Sequence, residues 1–414
     1  MRNSKWLWIF TAALAGSTFG LAQEKPFSFY ETTPLFFSAG FDSGVPDGNR
    51  RLGSSSLLLT APTFSLVRMA PRNDFSIFYK PEFEMFPNAR GLDDFSQSGG
   101  LRWEYSMTPR LSLSVNDAFR VTDDNGRQFE SSFLLPRGPY RENGLYTSLN
   151  FDLTTETRVK LRYENAFASF SAEHLSTPLF FSRMGNTVGL TVDHHLSPKA
   201  KLSVSYSYLR SRSFDTYDAA GNLILPFDPT HFATATWTYN FTPTLLLEAT
   251  GGFVHNPANS YIAGGLVEKH FEHLTVAGGY NRYLTFVGTP AGDTLASTRF
   301  LPGNSISQTV SVRIEGKISP RWGVETKFLA STTSGAGPQG LRSELGEMRV
   351  NYQLREHWRL FTSVDLFHQN ANVILPVLIS RGRYYGGLEF TFSPTPDEIS
   401  RRRNQAHDAS RKDN

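Results

Sequence analysis

Strict two-residue alternation of apolar and polar side chains, sustained over about ten residues at a time and broken by very short turns, restricts this chain to long β-strands with one apolar and one polar face. Leu101, Trp103, Tyr105 and Met107 share one face, with Arg102, Glu104 and Ser106 on the other. Val159, Leu161 and Tyr163 alternate with Lys160, Arg162 and Glu164. The same pattern recurs at Val188–Val192, Leu202–Tyr208, Val310–Ile314 and Met348–Leu354.

Turns fall at Thr108-Pro109, Thr155-Glu156, Ser197-Pro198, Thr242-Pro243, Ser319-Pro320 and Arg355-Glu356, with further ones near Pro71 and Phe271. Proline presets a tight turn and cannot sit in a central strand ladder. The other strand ends are joined by longer Gly-, Pro-, Asn- and Asp-rich segments, as at 123–143, 211–230, 288–304 and 369–380. One end of the structure therefore has short turns and the other long loops. Trp103, Trp322 and Trp358 stand beside the short turns on the apolar faces, where an interfacial aromatic girdle would lie. The spacing could also mimic propeller blades, but those need four short strands per repeat.

The 414 residues hold no cysteine, which excludes Cys-zinc sites, iron–sulfur clusters, thiol catalysis and disulfides. Lys+Arg 41 against Asp+Glu 38 is too balanced for a nucleic-acid surface. Arg2 and Lys5, the apolar stretch 6–15 and Gly20-Leu21-Ala22 read as a signal peptide over 1–22. No later apolar run reaches the ~18–20 residues of a spanning helix. The expected organisation is a leader over 1–22, an N-terminal segment 23–56 that is either a first strand or a short hatch, a barrel over 57–392, and a polar periplasmic tail over 393–414.

With these features the chain resembles a bacterial outer-membrane β-barrel of the porin-like kind. The most specific match is Tyr385-Gly386-Gly387-Leu388-Glu389-Phe390-Thr391-Phe392, similar to the terminal-strand assembly signal of such barrels. The resemblance implies an all-β, transmembrane, antiparallel up-and-down barrel in the outer membrane of a Gram-negative cell. It also implies that Tyr385, Gly387, Phe390 and Phe392 are read by the barrel-assembly machinery, with lipid and lipopolysaccharide as surroundings. The signal usually ends the chain, whereas here a tail with Arg401-Arg402-Arg403 follows. Eight turn-centred hairpins plus a terminal strand at 383–392 give an odd count. A first strand at 35–41 would make eighteen, and sixteen results if the hairpin at 57–85 is misread.

The polar faces then line the lumen. Arg102, Glu104, Lys160, Arg162, Glu164, Arg313, Glu315, Lys317, Arg349 and Asp365 are the expected pore-lining residues. Near-balance of positive and negative charge on these faces argues against strong ion selectivity. Other constellations carry less. His194 and His195 in Asp193-His194-His195 alternate to opposite faces, and no HExxH spacing exists for zinc. Asp215, Asp218 and His231 leave an enzyme only conceivable, and Asp123-Asp124-Asn125-Gly126 reads as a turn rather than a calcium loop.

The expected function is a channel for passive, weakly selective diffusion of small hydrophilic solutes, without catalytic residues, metal or cofactor. The alternatives are a barrel for exopolysaccharide export, or hydrophobic-substrate uptake with residues 23–56 as a hatch. Nothing in the sequence marks an oligomeric state.

Overall fold

The computed structural model describes residues 28–43, 45–47, 50–52, 55–70, 72–124, 137–172, 179–214, 229–256, 258–284, 306–334, 341–370 and 379–392. The leader at 1–22, the tail at 393–414, and Asp215 and Asp218 lie outside them.

The chain forms one closed antiparallel sheet and a small hairpin. Strand β1 runs over Ser28–Asp42, and β2 (Val45–Asp47) and β3 (Arg50–Leu52) make the hairpin. Then come β4 (Ser55–Thr60), β5 (Phe64–Met69), β6 (Asn73–Met85), a 3-10 turn at Arg90–Leu92, and β7 (Asp94–Thr108). Next are β8 (Leu111–Thr122), β9 (Tyr140–Asp152), β10 (Thr157–Ala172), β11 (Leu179–Ser197), β12 (Ala200–Phe214) and β13 (Thr230–Thr242). β14 (Leu245–Asn256), β15 (Ala258–His270), β16 (Leu274–Leu284) and β17 (Ile306–Lys317) continue the wall. It ends with β18 (Trp322–Ser334), β19 (Leu341–Arg355), β20 (Trp358–Gln369) and β21 (Ile379–Phe392).

Each strand from β6 onward pairs with the next in sequence, and β1 closes the ring by pairing with β21 on one edge and with β4 and β5 on the other. β4 and β5 are one strand broken at a proline. The register is unchanged across the break, from Thr60 opposite Phe83 to Phe64 opposite Tyr79, so Pro62 falls opposite Pro81. Neither proline can donate to the ladder there. Counting them as one gives eighteen strands, the even number that closes an antiparallel barrel with both ends on one side. A strand therefore occupies 28–42, longer than the 35–41 expected, and the hairpin within 57–85 is real.

The seam between β1 and β21 is close. A side chain at Gly387 would collide with the Phe37 carbonyl, and one at Gly40 with the Tyr384 carbonyl. Only glycine leaves room for the backbones to meet at both places. Elsewhere in the wall, at the short-turn end of β17, Gly316 takes φ +155° beside the His273 carbonyl, another position that excludes a Cβ.

Alternation is obeyed along most of the wall. Leu161, Tyr163, Val188, Leu190, Val204, Tyr206, Val310, Val312, Phe328, Met348 and Leu366 are all exposed on the outer surface. Their neighbours point inward, where Ser148, Glu164, Ser207, Ser307, Ser331, Ser363 and Asp365 are buried. The wall thus turns most of its large apolar side chains outward and many polar ones inward, the reverse of the usual rule of burial.

Candidate functional site

Aromatics collect at the short-turn edge of the outer surface. Trp103 stacks with Tyr105 at 6.0 Å, Trp237 with Tyr239 at 5.3 Å, and Trp358 packs on Phe390 at 4.3 Å. At the long-loop edge the Tyr206 hydroxyl and His231 Nδ1 share a hydrogen bond of 2.7 Å, and the Arg282 guanidinium lies 4.0 Å over the Tyr261 ring. On β13 the two levels, Tyr239 and His231, are eight residues apart. At ~3.3 Å per residue and a tilt near 40°, that makes an apolar band about 20 Å tall, close to the ~25 Å of a bacterial outer-membrane barrel.

All ten expected pore-lining residues lie on inward faces, in separate groups. Arg102 bonds Glu104 at 2.5 Å on β7, and Arg162 bonds Ser207 at 2.5 Å while lying 3.7 Å from Glu164. Arg313 meets Glu268 at 3.3 Å and Glu315 at 3.9 Å. Lys317 sits at the short-turn rim, where its backbone N–H donates to the His273 carbonyl. Lys160 opens onto a recess of about 420 Å³ lined by Glu104, Ser112, Ser114, Tyr146, Arg158 and Asp193, with further polar groups around it.

On the facing wall Arg349 donates to Glu389 at 3.0 Å, and Arg359 is 3.8 Å from the same carboxylate. Arg349 also lies 4.5 Å over the Phe361 ring, which stacks on Phe36 at 4.7 Å. Phe36 and Phe361 thus face inward, a pair of lumen aromatics that composition alone did not reveal. Tyr385 and Gly387 of the terminal strand share this inward face, and Tyr385 packs edge-on against Phe361 at 6.2 Å. Phe390 is on the outer face with Trp358. The backbone of Phe392 pairs with Thr33. The terminal motif is therefore split between the two faces.

The densest charge cluster was not foreseen as a site. Near the long-loop end, Arg381 donates to Asp42 at 2.7 Å and to Asp124 at 3.0 Å, and all three are buried. Arg383 bonds Glu84 and lies 3.4 Å from Asp42. Burial alone would raise the Asp124 carboxyl. The charges and hydrogen bonds of Arg381, with Arg137 and Arg383 beyond, instead hold it well below the usual carboxylate range. Asp124 was read in the sequence only as part of a turn, whose Asn125 and Gly126 lie outside the described residues.

The segment between β6 and β7 lies near this cluster. Leu57 and Ser55 face inward while Leu58 is exposed outside, and Phe86 and Leu92 pack on Leu57 to form a small buried core. Contact with an inward side chain requires the segment to lie inside the barrel. Its two ends are joined by the Phe86 N–H donating to Asp93 at 2.7 Å, and Arg137 donates to the Leu92 carbonyl from outside the segment. Asp94 accepts from Thr122 and from the Asp123 N–H, each at 3.2 Å, tying the segment to the end of β8.

A second inner sector, on β12–β14 and β17–β18, is lined by small hydroxyls. Ser205 and Thr234 are 2.6 Å apart, Thr236 and Thr250 2.9 Å, and Ser307 and Ser331 3.1 Å.

A closed ring of eighteen antiparallel strands, apolar outside between two aromatic edges and polar inside, is a transmembrane β-barrel of the outer-membrane class. No family model and no curated relative matches the chain. Among solved structures it is similar to the porins OccAB3 of Acinetobacter baumannii and OpdO of Pseudomonas aeruginosa. The first shares 10% identity at a TM-score of 0.48, over 87% of this chain and 98% of that one. The second shares 11% at 0.48, over 88% and 97%. It is also similar to the siderophore receptor PirA of Pseudomonas aeruginosa, with 10% identity, a TM-score of 0.42, and coverage of 89% and 82%.

Proposed function

We propose that the chain is an outer-membrane channel for passive, weakly selective diffusion of small hydrophilic solutes. The observation that carries this reading is the pairing of opposite charges along the lumen: Arg102 with Glu104, Arg162 with Glu164, Arg313 with Glu268, and Arg349 with Glu389. A wall of locally neutralised charge holds water without a net field, so it neither concentrates nor repels one sign of ion strongly. The ten pore-lining residues named from the sequence act here as wetting and orienting groups. Narrowing comes from the inward 86–92 segment on one side. The terminal motif around Gly387, Phe390 and Phe392 serves assembly, and lipopolysaccharide borders the outer edge.

The hatch reading would place residues 23–56 in the lumen. Ser28–Asp42 is hydrogen-bonded into the wall on both edges, which favours the pore. Swelling of liposomes carrying the refolded protein, with sugars of increasing size, tests the proposal. Swelling that declines smoothly with solute size supports it, and no swelling from a folded barrel opposes it.

A further inference from the structure

On the outward face of β12–β17, cations stand without carboxylates. Alternate residues along these six strands include no outward Asp or Glu, yet two arginines rise from the long-loop edge. Arg210 on β12 is exposed. Arg282 on β16 lies 4.0 Å over the Tyr261 ring, and its Nε is buried there without a hydrogen-bond partner. Neither has an ion-pair partner among the described residues, whereas Arg342, outward on β19, is answered by Glu344 at 2.6 Å. Between the two arginines, His231 and His255 are opposite each other in the register with rings 6.2 Å apart. Each engages Nδ1 within the wall, His231 with the Tyr206 hydroxyl and His255 with Asn259, both at 2.7 Å. That leaves Nε2 of each without a protein partner among the described residues.

Beside these cations the outer wall is hollow. One rung of the ladder runs from Val204 through Ala235, Gly251 and Ala263 to Arg282. In the next rung toward the short turns, Ala249 and Gly265 stand between Trp237 and Tyr280. Ala233 extends the small residues one step toward the long-loop edge, beside Tyr206. A Cβ added at Gly251 would meet nothing within 4 Å, so the floor is open. Three strands at ~4.8 Å spacing make the hollow about 10 Å wide, enough to seat an acyl chain against the backbone. β14 and β15 are joined above it by a single residue, so no long loop springs from this part of the rim.

We infer that this sector is a fixed site for the lipid A part of lipopolysaccharide, with its phosphates on Arg210 and Arg282 and an acyl chain in the hollow. Long loops mark the extracellular end of outer-membrane barrels, so this edge meets the outer leaflet and its phosphorylated headgroups. Guanidinium groups take phosphate through paired N–H donors, and basic clusters at headgroup level recognise lipid heads. Small residues let a neighbouring chain come close, as they do between membrane helices. The inference concerns the outer surface and stands whether or not the lumen conducts.

Native mass spectrometry of the refolded protein in mild detergent, with added bis-phosphorylated lipid A, tests it. The parent is expected to carry a lipid A adduct. The adduct should weaken about tenfold or more, a loss of at least ~1.4 kcal/mol, in Arg210→Gln/Arg282→Gln. Lipid A stripped of its phosphates should show the same loss on the parent, which needs no variant. Gly251→Leu, which fills the hollow and leaves both arginines in place, should weaken the adduct as well. Arg342→Gln, which removes a paired arginine, should leave it unchanged. Variants are compared once each shows the heat-dependent gel shift of a folded barrel. An adduct undiminished in the arginine double variant or in Gly251→Leu would overturn the inference. So would phosphatidylglycerol bound as tightly as lipid A, or a second copy of the chain in place of the lipid.

Discussion

Arg381, on the last strand, is bonded to Asp124, 257 residues earlier at the end of β8, at 3.0 Å and out of reach of solvent. Asp42 on the first strand completes the site at 2.7 Å. One guanidinium thus joins the first strand, the last strand and the start of a long loop. Its cost of desolvation is met only because two carboxylates answer it.

Removing that cation takes from Asp42 and Asp124 the guanidinium that both bind most closely. Arg381→Leu is expected to lower stability by about 3–5 kcal/mol, the usual cost of breaking a buried ion pair from one side. The measurement is urea unfolding in lipid vesicles. A loss below about 1 kcal/mol, the scale of a surface pair, would mean the site is solvated.

Acid should loosen the same site. Because the folded-state value of Asp124 lies below the ordinary carboxylate value of about 3.9, its contribution is complete above that pH and disappears as pH falls through the depressed value. Unfolding temperature is expected to be insensitive to this group between about pH 5 and 8 and to fall below about pH 4. Asp124→Asn should flatten that acid slope. An unchanged slope in the variant, or a loss of stability on raising the pH, would contradict the assignment.

Adjacent residues on β17 separate the two faces of the wall. Val312 is outward and Ser311 inward. Val312→Arg is expected to cost about 2–4 kcal/mol, as cations on the lipid face of barrels do. Ser311→Arg should cost little and shift ion selectivity toward anions. The reverse ranking in unfolding experiments would mean the barrel has been read inside out.

Lys160 opens on the polar recess and has no ion-pair partner among the described residues. Lys160→Glu changes the local charge by two without closing the lumen. Reversal potentials in a salt gradient should move toward cation preference at nearly unchanged conductance. A potential that stays where it was would place Lys160 off the ion path.

Much of this architecture is legible in the sequence because membrane barrels expose their pattern. Val159, Leu161 and Tyr163 against Lys160, Arg162 and Glu164 need only the two-residue pleat to be sorted into outside and inside. The short turns, including those near Pro71 and Phe271, follow from local chemistry as well. Asp124 and Asp42 could not be assigned in this way. Their role depends on Arg381, brought near by ring closure across most of the chain, and no local spacing records that. Tyr385 was grouped with Phe390 as one motif, although their parity sends them to opposite faces.

Single-channel recording from the refolded full-length protein in planar bilayers, with a salt gradient, tests the central claim most directly. Steady, ohmic steps with a reversal potential close to zero are the predicted result. Silence from a protein shown to be folded, or a reversal potential near the limit for a single ion sign, would contradict a charge-paired diffusion pore.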